Sequence, residues 1–120
     1  MVSRTPAQNA TATVVRNGRT ILKNVEVRQR LAAAPRLFLQ IFNTNAPTVG
    51  TTAPEIVIPV PAGDANITLN RNKVEFQADK GGLDLGTGFS YAVTTTHDGS
   101  TNPTATHEPE VIIHYEQLGA

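Results

Sequence analysis

The chain has 120 residues, ten basic and ten acidic side chains that cancel to zero net charge, and no cysteine. That length makes one domain with a core of its own, and without thiols there can be neither disulfides nor thiolate metal sites. No run of more than two basic residues occurs, so no face is supplied for neutralising nucleic-acid phosphates. The N-terminus has no apolar signal core, and no stretch approaches the roughly 20 apolar residues of a membrane span. A cytosol-like compartment is expected, with neither membrane nor nucleic acid as partner. The glycosylation triplets Asn9-Ala10-Thr11 and Asn66-Ile67-Thr68 are read as chance.

Residues 1–12 are small, polar and aperiodic, which predicts a flexible arm ordered only by a neighbour; residues 13–120 form the single domain. Strand segments at 11–16 and 19–22 flank Asn17-Gly18, the strongest short hairpin signal, because a type I′ turn needs positive φ at both central residues. Val25 and Val27 alternate with Glu26 and Arg28. The best helical candidate, 28–34, is a turn or two at most and is stopped by Pro35. Leu37, Leu39 and Ile41 then alternate with Arg36, Phe38, Gln40 and Phe42. The connector 43–54 carries no charge, and its Pro, Gly, Thr and Asn fix backbone shape.

Ile56, Ile58 and Val60 share one face. Pro59 and Pro61 cannot donate ladder hydrogen bonds, which makes that strand an edge or a sheet exit. Ile67 with Leu69, then Val74 with Phe76, give two more short strands around a turn at Asn70-Arg71-Asn72. Phe89, Tyr91 and Val93 alternate with Ser90, Ala92 and Thr94. Val111, Ile113 and Tyr115 alternate with Ile112, His114 and Glu116. About eight short strands separated by Gly, Pro, Asn and Asp clusters predict an all-β fold, an antiparallel β-sandwich or jelly roll.

Catalytic and metal signals are weak. His97-Asp98, His107-Glu108 and His114 could meet a divalent metal only if the loop between the first two folded back. No HxH or HExxH spacing occurs, and a solvated loop tip is the simpler reading. Asp79 to Asp84 lacks the acidic series and final Glu of a calcium loop. Gly86-Thr87-Gly88 precedes a strand, where a phosphate loop needs a helix with Lys-Ser/Thr; it reads as a tight strand entry. No nucleophile motif such as GxSxG is present. Neither an enzyme nor a cofactor is expected.

One feature stands out. Phe38 and Phe42 lie with Arg36 and Gln40 on the strand face opposite the apolar one, where a sandwich normally places polar residues. Either a long loop covers a central strand there, or Arg36, Phe38, Gln40 and Phe42 form a subunit interface, since exposed aromatics with Arg mark interface centres. Zero net charge leaves association unopposed, so a homo-oligomer, most simply a trimer, is expected.

Residues 42–63 (FNTNAPTVGTTAPEIVIPVPAG) and 83–115 (LDLGTGFSYAVTTTHDGSTNPTATHEPEVIIHY) resemble small β-rich virion proteins of tailed bacteriophages. The likeness runs over about 15–115 and rests on the PTVGT–PAG and GxSYAxTT blocks, fairly specific together and weak apart. The chain departs from the pattern by a longer polar insertion at 66–80 and extra charge at 106–110. The resemblance implies a non-enzymatic part of the particle, made in the host cytoplasm and resident in the virion. A capsid decoration (cement) protein bound to the major capsid protein comes first, and a tail, neck or fibre-associated protein second. A carbohydrate-binding β-sandwich is the rival from another class, but it stacks sugars on exposed aromatics. With no Trp, two Tyr and four Phe, this chain is poorly equipped for that.

Overall fold

A computed structural model describes residues 2–5, 9–29, 36–60, 70–75, 82–97, 99–100 and 109–117 (for 3–5, 28–29 and 70–75, the backbone alone). Within them the alternating segments form nine strands: β1 Val2–Thr5, β2 Thr13–Arg16, β3 Thr20–Gln29, β4 Leu37–Phe42, β5 Ile56–Val60, β6 Asn70–Glu75, β7 Leu83–Leu85, β8 Phe89–Thr94 and β9 Glu110–Gln117. Sheet one has the order β1-β9-β3-β6 with β7 also on β3, and sheet two the order β2-β8-β4-β5. Every pairing is antiparallel.

The pairs are nested. β4 pairs with β5, β3 with β6 and β7, β2 with β8, and β1 with β9. The chain is therefore one long hairpin rolled so that successive rungs fall in alternate sheets, with the uncharged connector 43–54 and then Glu55 at its tip. This is the jelly-roll member of the two expected architectures. β6 lies against Asn24–Gln29 of β3 and β7 against Thr20–Leu22, so the two act as one interrupted strand.

Nesting overrides several local signals. Asn17-Gly18 does not close a hairpin, because β2 belongs to sheet two and β3 to sheet one. Gly18 has a φ of 155°, and no described non-glycine residue has a positive φ, so Asn17 does not adopt the type I′ geometry. Pairing β2 with β8 packs Val15 against the two-layer core, and pairing β3 with β9 buries Leu22, Val25 and Val27 in it, burial that a local hairpin could not provide. Asn70, Arg71 and Asn72 form no turn; they are paired with Gln29, Arg28 and Val27. Arg28 and Gln29 extend β3 instead of starting a helix. The rest of that helix candidate, the Pro61 end of β5, Ile67, Leu69 and Phe76 lie outside the described residues. Residues 2–5 of the segment read as an arm pair in register with β9, Val2 opposite His114 and Thr5 opposite Val111.

The sheets enclose one apolar cluster. Sheet one contributes Leu22, Val25, Val27, Leu85, Val111 and Ile113; sheet two contributes Leu37, Leu39, Ile41, Ile58, Val60, Phe89, Tyr91 and Val93. Each large aliphatic or aromatic side chain buried this way contributes about 1.5–3 kcal/mol. Phe89 spans the layers, tilted on Tyr91 with centroids 6.1 Å apart and edge-on to Tyr115 of sheet one at 6.2 Å. The in-facing sets read from the sequence at β4, β5, β8 and β9 are thus the core. β5 ends its sheet, as Pro59 requires.

Candidate functional site

The outer face of sheet two departs from the sandwich norm. Register places Gln40 opposite Ala92, Phe38 opposite Thr94, and Phe42 opposite Ser90. Gln40, Phe42, Ser90, Ala92 and Thr94 have no exposure at all, although they point away from the core between the sheets. Loop residues 43–55 and, among the described residues of the second loop, 95–97 and 99–100 cover them.

Hydrogen bonds hold these loops down. Ser90 Oγ donates to Thr44 O at 2.7 Å, and Thr87 N donates to Asn43 Oδ1 at 2.9 Å. Gln40 Nε2 donates to Thr94 Oγ1 at 2.9 Å and to Gly99 O at 3.0 Å, while Thr94 Oγ1 donates to Thr96 O at 2.6 Å. Loop carbonyls thereby satisfy polar side chains that would otherwise cost about 1–3 kcal/mol each when buried. Gln40 Oε1 is the exception, with no partner among the described residues. The approach is close: a Cβ on Gly88 would stand 2.9 Å from Asn45 N and 3.1 Å from Thr44 C. The loops also touch each other. Gly50, at φ +90°, would bring a Cβ within 3.0 Å of Ser100 Cβ, so this turn needs glycine both for its backbone and for its contact.

The connector is shaped before any partner arrives. Thr51 N and Thr52 N both donate to Thr48 O, at 2.9 and 2.8 Å, and Thr48 N donates to Thr52 Oγ1 at 2.9 Å. Its outward residues Ala46, Thr48, Gly50, Thr51 and Ala53 are exposed and uncharged. The result is a rigid neutral ridge. A surface of this kind can dock on protein without desolvating an ion.

The four residues expected at a subunit interface therefore separate. Arg36 is exposed and Phe38 half-buried, with Phe38 meeting the His97 ring edge-on at 5.9 Å and 75°. Gln40 and Phe42 are fully covered by their own chain and have no surface to offer a neighbour while the loops are closed. The alternation that marked them was real, and the covering loop, one of the two readings of that face, accounts for their burial. The sequence carried a further sign in Ser90, Ala92 and Thr94: like Gln40, none is charged, whereas the matching positions of β9 include His114 and Glu116.

The histidines are not gathered. His97 sits at the loop over sheet two, His114 lies on β9 opposite Asn24 and Val2 of sheet one, and His107 is outside the described residues. No group of three or more His, Asp or Glu that could hold a metal ion occurs among the described residues. Asp84, the described end of the weak calcium-loop match, is paired with Arg19 instead. Arg19 Nε and Nη2 meet its two carboxylate oxygens at 3.1 and 2.8 Å, a fork that ties β7 to the entry of β3. Asp84 raises the Arg19 pKa through these hydrogen bonds and its charge, against a small opposing desolvation. Gly86, Thr87 and Gly88 lead directly into β8, the strand entry expected.

No protein-family model, curated protein or solved structure matches the chain.

Proposed function

We propose that this protein is a non-enzymatic structural component of a tailed-phage particle, a decoration protein that binds the assembled shell through the 46–53 ridge. One observation carries the reading. The two segments that resemble phage virion proteins, 42–63 and 83–115, are far apart in sequence yet build this ridge together, through Thr44–Ser90, Asn43–Thr87 and Gly50–Ser100. A neutral ridge stiffened by its own hydrogen bonds loses little entropy on docking. A jelly roll is also an architecture used in viral capsids, a fold-level analogy that supports the reading only associatively. In this account the protein is made in the host cytoplasm, resides in the virion, and has the major capsid protein and its own copies as partners.

Co-sedimentation with undecorated heads and with isolated tails of the parent particle tests the proposal. The protein should pellet with heads, and Thr51→Glu, which places a charge on the exposed ridge, should reduce pelleting at least tenfold with an unchanged melting temperature. Binding to tails alone would establish the tail-component alternative. Equal binding of the variant to heads would remove the ridge from the contact.

A further inference from the structure

Sheet one ends on a strand that the rest of the fold holds by a short tether. β1 is the outermost rung of the rolled hairpin, four residues in register with Val111–His114 of β9. Four residues later the chain is already fixed on the other layer, where Val93 N donates to Asn9 O at 2.8 Å. Between Thr5 and Asn9 stand only Pro6, Ala7 and Gln8. Four Cα steps reach at most about 14 Å, and the two layers of a sandwich stand about 10 Å apart. Three residues are a short link between strands of opposite layers. Pro6 has a fixed φ and biases Thr5 toward extended angles, which favours a chain that continues straight over one that doubles back.

The other free edges are poor acceptors. β5 carries Pro59. β2 has a register shift between Val14 and Arg16, and bulged edges resist pairing. The far side of sheet one is divided between the short strands β6 and β7, both paired to β3. By contrast, β9 is a continuous eight-residue strand, and β1 covers only four of its positions. Val2, 60 % exposed, contributes little burial to hold β1 on its own domain.

We propose that β1 exchanges between copies of this chain, the strand Val2–Thr5 of one protomer pairing with β9 of a second in the register seen within the chain. The ladder bonds are the same in both forms, so exchange loses no pairing, and short connecting segments favour such a swap. The inference concerns association of the protein with itself and stands whether or not the ridge binds a shell.

The chain's lack of cysteine makes the test clean. Val2→Cys and His114→Cys are prepared separately, and then together in one chain. Directly opposed strand residues have Cα atoms about 4.5–5.5 Å apart, within disulfide reach. Mixing the two single variants under oxidation should give a Val2–His114 cross-link between chains, identified by peptide mass spectrometry. The double variant should run as covalent oligomers. Deleting residues 2–5 should reduce the light-scattering mass to one chain with the melting transition retained. Inserting six Gly/Ser residues after Gln8 should do the same and convert the double variant to an internal disulfide. A wild-type protein that is monomeric at all concentrations, or a double variant closing only within its own chain without the insertion, overturns the proposal.

Discussion

β8 and β9 follow one another along the chain and both alternate, but they are buried in different ways. All six residues of β8, FSYAVT, are buried, whereas β9 alternates between the buried Val111 and Ile113 and partly exposed neighbours until Glu116 and Gln117 emerge. The outer face of sheet one meets water and carries ions, with Lys23 Nζ 3.3 Å from Glu116 Oε2. On sheet two the stretch formed by Gln40, Phe42, Ser90, Ala92 and Thr94 is dry, with hydroxyls and an amide bonded to loop carbonyls. Period-two alternation thus separates the two faces of a strand without saying which is wet. The residue types at the second set of positions say more: Glu and His on β9 require solvent or partners, while Ser, Ala and Thr on β8 can be sealed by a loop.

Substitutions that charge the dry face should break this contrast most strongly. Phe42→Asp should cost at least about 3–5 kcal/mol, adding a lost aromatic to a buried unpaired charge, and should abolish cooperative unfolding in a chemical-denaturation series. A folded, stable Phe42→Asp monomer would return that residue to a subunit interface. Gly88→Ala comes next, because its new methyl meets backbone atoms of residues 44 and 45. Such overpacking costs about 1–3 kcal/mol, and proteolysis should show the connector released before the domain melts.

Gln40→Leu keeps the bulk but removes the donor shared by Thr94 and Gly99. A loss of about 1–3 kcal/mol is expected, with faster amide exchange in 95–100 than in sheet one. Gly86 is the control for Gly88: its Cβ would meet nothing within 4 Å and its φ is not positive. Gly86→Ala should therefore be neutral or stabilise by up to about 1 kcal/mol through the unfolded chain. The smallest effect belongs to the wet face. Lys23→Ala removes an exposed ion pair, and the melting free energy should move by less than about 0.5 kcal/mol, less still in high salt.

Much of this was legible in the chain itself. Leu37, Leu39, Ile41, Phe89, Tyr91, Val93, Val111 and Ile113 mark their in-facing sets by period alone, and Pro59 marks an edge. The misreadings share one cause. Asn17-Gly18 and Asn70-Arg71-Asn72 are local turn signals, yet the strands at or beside them pair with distant parts of the chain instead of with each other. Residues 2–5 have no periodicity to detect, because pairing along one edge of β9 is a matter of backbone hydrogen bonds.

The sequence by itself determined that this is a two-layer β protein without thiol chemistry, and which apolar residues meet between the layers, because side-chain period is a property of each strand alone. Only the tertiary structure decided that the strands nest as a rolled hairpin, that the uncharged connector and the loop carrying Gly99 close over the Phe42–Gln40 face, and that β1 lies against β9. Those outcomes depend on pairings fifteen or more residues apart, and long-range pairing is chosen by the burial summed over all partners, which no single segment encodes.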